Sequence, residues 1–324
     1  MKKVILYEPS IGSDNIGDQI IVDGVKRALQ EYLNDAFVIE LPTHTPINLR
    51  YLNYLEHTPA DLKIVCGSNI IVNKLNALLH LRQWNVPITS VPLMGKLVFV
   101  GVGAQQYGQK ISKYTQWAYK KMMRPDFLHS VRDSYTEKAL KEVGIDNVIN
   151  TGCPTMWMLT EEFCKTIPTQ KSENTCVFTL TDYKANPKRD SSMIEIIKKN
   201  YKNVYFWPQG NGDWKYFNTL PGAEKIEVIN PNLKAYNQFL ENEEADFIGT
   251  RLHGGMRALQ NRHRTLIIGV DNRAQELHKD YGVPVVDEKS MDKLDEIINS
   301  DFSTNIKLPN ENIRRFLKQF DEYK

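Results

Sequence analysis

Gly249-Thr250-Arg251-Leu252-His253-Gly254-Gly255-Met256-Arg257-Ala258-Leu259 is the stretch on which the reading of the chain turns. Ahead of it, Ala245-Asp246-Phe247-Ile248 has the composition of a short buried strand; behind it, Met256, Ala258 and Leu259 begin a helix with two glycines in its first turn. An arginine and a histidine therefore stand where a strand gives way to a helix, beside N–H groups that lack an intrahelical partner. In an open α/β sheet that junction is where ligands bind, and helix N-termini attract anions. Arg251 is expected to supply charge there and His253 proton transfer, although single residues of either type more often serve structure.

The same strand-to-helix alternation runs the length of the chain. Met1–Glu8 reads as a first strand and Gly17 to Leu33 as a helix, with Ile21, Val25, Ala28, Leu29 and Tyr32 at helical spacing. Strands are expected at Phe37–Leu41, Leu62–Gly67, Leu97–Gly103 and Phe127–Arg132, and Val148–Gly152 closes this half. Ser134-Tyr135-Thr136-Glu137 spells a capping box that starts a helix just after Arg132-Asp133. The polar segment Thr160 to Thr175, with Pro168, marks a domain junction. Beyond it strands are expected at Cys176–Leu180, Val204–Trp207, Ile226–Ile229, Thr265–Val270 and Val283–Val286, with helices between them. Repeated βαβ units imply parallel sheets covered by helices. The expected architecture is α/β, two Rossmann-like domains facing across a cleft, with domains at 1–165 and 172–324. Ile313, Phe316, Leu317 and Phe320 form the apolar face of a terminal helix, Asn310 to Tyr323, which must dock either across the hinge or on its own domain.

Bulk properties narrow the class. A chain of 324 residues with 41% hydrophobic and 25% charged content is ordinary for a globular enzyme. A net charge of +2 gives no electrostatic reason to expect a nucleic-acid partner. The first apolar run ends at Glu8-Pro9 and no later stretch has the length of a membrane span, so a cytoplasmic protein is expected. Cys66, Cys153, Cys164 and Cys176 are scattered, which argues against a zinc knuckle or a disulfide scaffold.

Other strand ends carry further candidates. Ser13-Asp14-Asn15-Ile16-Gly17-Asp18-Gln19 lacks the spacing of a dinucleotide or P-loop motif; Asp14, Asn15 or Asp18 can cap the helix, or Asn15 and Asp18 can reach substrate hydroxyls. Gly101-Val102-Gly103 is either a tight turn or a close backbone approach to a ligand. Arg132 ends a strand as Arg251 does and suits a carboxylate or phosphate. In Trp207-Pro208-Gln209-Gly210-Asn211-Gly212-Asp213-Trp214 the indole of Trp207 would carry a sugar ring, or fill the core, and Gln209, Asn211 and Asp213 would contact hydroxyls. Lys120, Lys121 and Arg124 form a basic helix end that an anionic membrane surface would attract, or an ordinary solvated face.

Taken together, these pieces resemble the polysaccharide pyruvyl transferase family. Asn15-Ile16-Gly17-Asp18 is similar to its opening motif, Gly101-Val102-Gly103 to its glycine-rich strand end, and Ser130-Val131-Arg132-Asp133-Ser134 to its S-V-R-D-x-S segment. Gly249-Thr250-Arg251-Leu252-His253-Gly254, followed by an apolar strand and Asp271, is the most specific match. The resemblance implies a GT-B-like fold and transfer of the enolpyruvyl unit of phosphoenolpyruvate (PEP) to a saccharide or lipid-linked glycan, usually as a cyclic ketal with release of phosphate, in surface polysaccharide synthesis. It implies that Arg132, Arg251, Gly254 and Arg273 bind the donor, that His253 is the acid/base residue, and that Asn15, Asp18, Trp207 and Gln209 face the acceptor. The N-terminal domain would then be the acceptor side and the C-terminal domain the donor side, at the inner face of the membrane, with PEP as substrate and neither cofactor nor metal. Three positions depart from the family's pattern: Cys66-Gly67-Ser68-Asn69, Gly152-Cys153-Pro154, and Arg273 in place of a lysine. An arginine there can hold an anion but cannot donate a proton at neutral pH. A nucleotide-sugar glycosyltransferase of GT-B type and a non-catalytic glycan-binding member of a synthesis complex remain the alternatives.

Overall fold

A computed structural model describes residues 2–45, 59–75, 84, 86–92 and 94–321. Met1 of the expected first strand and the end of the expected terminal helix, 322–323, lie outside the described residues. The chain forms two compact units: residues 1–13, 21–157 and 309–324 make the first, and 14–20 and 158–308 the second.

In the first unit β1 (Lys2–Glu8), β2 (Ala36–Pro42), β3 (Leu62–Cys66) and β4 (Val98–Val100) form a sheet of order β2-β1-β3-β4, and β5 (His129–Val131) pairs with β6 (Val148–Asn150). All these pairings are parallel. Val102 and Val131 form a parallel bridge, with the Arg132 N–H donating to the Val102 carbonyl at 3.0 Å, so β5 continues the sheet past β4. Helices α1 (Gly17–Ala28), α2 (Gln30–Leu33), α3 (Lys113–Met122) and α4 (Ser134–Lys141) accompany it. The expected capping box is displaced by one residue: Asp133 is the cap, accepting from the Thr136 N–H at 2.7 Å, because Ser134 already has helical geometry.

The second unit holds α5 (Glu161–Cys164), β7 (Thr175–Thr179), α6 (Pro187–Asn200), β8 (Asn203–Phe206), α7 (Asn211–Phe217), β9 (Glu227–Val228), α8 (Leu233–Asn242), β10 (Ala245–Gly249), α9 (Leu252–Gln260), β11 (Thr265–Gly269), α10 (Asn272–Tyr281), β12 (Val285–Asp287) and α11 (Leu294–Asn299). Its parallel sheet has the order β12-β11-β10-β7-β8-β9. Every residue of β7, β10 and β11 is buried, as expected of a parallel sheet covered on both faces. From β7 the chain steps outward through β8 and β9, then returns to β10 and steps the other way, so the direction of winding reverses between β7 and β10. Ligands of such sheets bind beyond the strand C-termini at that point.

The boundaries expected at 165 and 172 need correction. The polar segment is not a linker: Thr160 caps α5, and Cys164 and Ile167 are buried in the second unit. Helix α12 (Asn310–Lys318) returns to the first unit rather than completing the second domain. Phe316 and Phe320 join the core formed by Val4, Leu6, Val25 and Ile64, and the Asn312 amide donates to the Asn150 carbonyl at 2.8 Å. The turn before α1 is also reassigned: Asn15 bridges to Gly210, and the Ile16 N–H donates to the Gln209 carbonyl at 2.8 Å.

Candidate functional site

The reversal between β7 and β10 is closely packed. A Cβ on Gly249 would fall 2.6 Å from the Thr179 nitrogen, so only glycine lets β10 end against β7 in this way. The Thr179 hydroxyl then accepts from the Arg251 N–H at 3.1 Å, and the Thr179 carbonyl from the Thr250 N–H at 3.1 Å. Arg251 is the N-cap of α9, whose first i to i−4 bond is Gly255 N–H to Arg251 carbonyl, and all nine helical residues are buried. The N–H groups of Leu252, His253 and Gly254 precede that bond and lie at the positive end of the helix.

The Arg251 side chain is buried among carboxylates rather than standing open as a free cation. Its Nε donates to the Leu180 carbonyl at 3.0 Å and to Asp213 Oδ2 at 2.9 Å. Its Nη2 donates to Asp182 Oδ1 at 2.9 Å and to Asp213 Oδ1. Nη1 carries no hydrogen bond among the described residues. A Cβ at position 210 would lie 2.3 Å from Nη2, so Gly210 gives the guanidinium its place. Asp213 also receives the N–H groups of Gly210 at 2.7 Å and Asp182 at 3.1 Å. Burial pushes the Asp213 carboxyl above its ordinary value, against the opposing pull of Arg251. Burial would lower Arg251, but Asp213, Tyr183 and Asp182 together outweigh it and the guanidinium is held above its usual range.

Tyr183, in the short turn Asp182–Lys184 after β7, ties a second arginine to this group. Its ring centroid lies 5.0 Å from the Arg251 guanidinium carbon, and its hydroxyl accepts from Arg273 Nη2. Arg273 is also paired with Asp271, which caps α10 through the N–H groups of Arg273 and Ala274. Desolvation works against the Arg273 charge, yet Asp271 and Tyr183 raise it. The three carboxylates of Asp182, Asp213 and Asp271 outnumber the two guanidiniums, so these five side chains do not make the strongly cationic cradle expected.

Several expected residues meet in the second unit. His253 and Gly254 are buried in the first turn of α9. Gln209 Nε2 donates to Asn15 Oδ1 at 2.9 Å, and the same oxygen accepts the Gly17 N–H at 3.1 Å. Gln209 Oε1 is buried without a hydrogen-bond partner and lies 3.2 Å from where a Cβ on Gly254 would be. The amide thus turns its unsatisfied acceptor toward the first turn of α9. Asp18 is buried at 2% exposure in the first turn of α1, so it does not stand open to substrate hydroxyls. Of the two readings of Trp207, the sugar platform fails and the core one holds: the indole has no exposed surface and stacks on Tyr236 at 3.8 Å and 6°. Its face is spent on the core, and Trp214 is the exposed indole of that segment.

Arg132 lies in the first unit, buried at the end of β5. Its Nε donates to Asp133 Oδ2 at 3.2 Å, and a Cβ on Gly103 would fall 2.2 Å from its guanidinium carbon. The Tyr107 hydroxyl donates to the same carboxylate at 3.2 Å, and burial raises that phenol. Cys66 and Cys153 are buried thiols pushed up by desolvation, the reverse of what a reactive cysteine needs. No group of three or more His, Cys, Asp or Glu side chains among the described residues is placed to hold a metal ion.

Two parallel α/β units, each with side chains gathered at strand C-termini, define a protein of the two-domain Rossmann-like, GT-B-like class. Residues 15–272 match the polysaccharide pyruvyl transferase family, and the chain belongs to that family. Arg273 falls just beyond the matched span. No curated protein is matched. Among solved structures, UDP-GlcNAc 2-epimerase from Methanocaldococcus jannaschii, crystallised with UDP-GlcNAc and UDP, is 14% identical with a TM-score of 0.58, covering 99% of this chain and 100% of its own. The S. aureus MnaA structure with UDP is 9% identical with a TM-score of 0.57, covering 100% of this chain and 96% of its own. At these identities the likeness is one of fold.

Asp182 and Tyr183 were not singled out from the sequence, and Asp213, expected to contact hydroxyls, is bound to Arg251 instead. Thr181-Asp182-Tyr183 follows a predicted strand as Thr250-Arg251 does, and that equivalence is the signal that would have drawn attention to them.

Proposed function

We propose that the chain transfers the pyruvyl unit of PEP to hydroxyl groups of a saccharide or lipid-linked glycan, as a cytoplasmic enzyme of surface polysaccharide synthesis using no cofactor besides this donor. The observation that carries the reading is the convergence of Arg251, Tyr183 and Arg273 beside the N-terminus of α9, where the sheet reverses direction, within a chain of this family. Helix N–H groups and Arg251 Nη1 would take the carboxylate and phosphate of PEP. His253 would deliver a proton to the methylene carbon, leaving C2 an oxocarbenium-like centre. An acceptor hydroxyl forms a C–O bond to C2 and loses its proton, the C2–O bond to phosphate breaks, and phosphate departs. A second hydroxyl then closes the ketal at the same carbon. Fixed positive groups stabilise the departing phosphate. Asn15 and Gln209 would face the acceptor, and Arg273 would hold Tyr183 and a donor oxygen. Arg132 is assigned to donor binding by the same family resemblance.

The test is acceptor-dependent phosphate release from PEP with a panel of glycans. His253→Ala should lower kcat by about 10²–10⁴-fold at unchanged fold, and Arg132→Lys should raise KM for PEP. Thermal stabilisation by UDP or GDP without any by PEP, or full turnover in His253→Ala, would replace this reading with that of a nucleotide-sugar enzyme or a different acid.

A further inference from the structure

Helix α3 presents an outer face that the catalytic reading leaves unused. Thr115, Ala118, Tyr119 and Met122 are buried beneath it, while Lys113, Trp117, Lys120 and Lys121 are exposed. Lys96, from the turn before β4, joins them, its Nζ donating to the Lys121 carbonyl at 3.1 Å. These residues and Gln116 line a shallow hollow of about 470 Å³ with no acidic side chain in its wall. None of the four lysines is ion-paired among the described residues, whereas the lysines of α4 are matched by Glu137 and Glu142. Arg124, expected to share in this basic patch, is spent on Asp126, to which Nε donates at 3.0 Å. Trp117 is 40% exposed in the middle of the cationic face, propped by Tyr114 at 5.7 Å between ring centroids.

We propose that this face of α3 docks on an anionic lipid bilayer, with the lysines at the headgroup phosphates and the Trp117 indole in the interfacial layer. Unpaired lysines around an exposed indole are what such a surface attracts, since lysine charge is retained against anionic headgroups and indole settles at the membrane–water boundary. A net charge of only +2 for the whole chain makes this a local device rather than general cationic stickiness. A soluble acidic polymer would engage the lysines but would gain little from the indole. The inference rests on the first unit's surface and stands independently of the donor assignment.

The full chain should co-sediment with phosphatidylcholine vesicles containing phosphatidylglycerol, should not with phosphatidylcholine alone, and should be released by salt. Neutralising Lys113, Lys120 and Lys121 to Gln should weaken partitioning about 100-fold, from roughly fivefold per charge. Trp117→Ala should weaken it at unchanged salt dependence, and quenching by brominated lipid should be seen in the parent chain and lost in Trp117→Ala. Circular dichroism and phosphate release with a water-soluble acceptor should be unchanged in these variants. Equal binding to neutral vesicles, no loss in the triple variant, or binding to polyglutamate that competes with vesicles and ignores Trp117→Ala would each overturn the proposal. Loss of phosphate release in a chain that still binds vesicles would count against the catalytic reading alone.

Discussion

Arg251 serves the fold and the proposed chemistry at once, and a simple knockout confounds the two. Removing it strands the buried Asp213 carboxylate, which typically costs about 3–5 kcal/mol. Arg251→Ala is therefore expected to lower stability by that order in urea denaturation and to abolish phosphate release. Adding Asp213→Asn should restore most of the stability, because a neutral amide tolerates burial better, without restoring activity. If activity returned with stability, Arg251 would be a scaffold residue and not a donor ligand. Gly249 makes the steric case: a Cβ there would meet the Thr179 nitrogen and carbonyl oxygen at 2.6 and 2.9 Å, backbone atoms that cannot swing away. Gly249→Ala should destabilise by about 1–3 kcal/mol, the usual penalty of overpacking, with the second unit's unfolding transition as readout.

At the scale of elements, the sequence yielded what periodicity encodes. The strand before Gly249 and the helix after it were legible because a short, largely apolar run gives way to apolar residues at helical spacing. Strand order was not, since pairing is decided by which apolar faces meet at a distance. The choice between sugar and core for Trp207 stays open in the sequence for the same reason: only the fold shows that Tyr236 stacks on its face. The carboxylates around Arg251 come from separate strand ends, Asp182 after β7 and Asp213 after β8, so no local spacing announces them. The terminal helix shows how an amphipathic pattern can be right while it leaves the partner open. Ile313 and Phe316 are buried as the pattern requires, and the first unit is what they are buried in. Phe316→Ala should cost about 3–5 kcal/mol, and hydrogen exchange should show the lost protection in β1 and β3 while β7 and β10 keep theirs. Loss in β10 instead would overturn that placement.

At the scale of the whole molecule, two units with separate cores need not respond to acid together. His129, fully buried in the first unit, accepts the Phe99 N–H at Nδ1 at 3.2 Å and has Nε2 2.9 Å from the Arg124 carbonyl, which a neutral ring protonated at Nε2 satisfies. Burial lowers its value to about 4 from an ordinary 6.5. The unfolded chain therefore takes up a proton that the folded one refuses. The stabilisation from keeping His129 neutral is complete above pH 6.5 and drains away as pH falls toward 4, about 3 kcal/mol in all. Glu8 in the first unit and Asp213 in the second are shifted upward, chiefly by burial, so they favour the fold as pH falls through their own range and partly offset the loss. Only the first unit contains His129, so its unfolding transition should move further with acid than that of the second. Urea denaturation of the parent chain and of His129→Gln between pH 7 and 4, followed by hydrogen exchange on β3 and β10, separates the contributions. The parent should lose about 3 kcal/mol more than the variant, in β3 and not in β10, because glutamine keeps a donor and an acceptor but cannot titrate. Parallel slopes for the two proteins would mean that the ring is already charged in the fold or that its proton plays no part in acid unfolding.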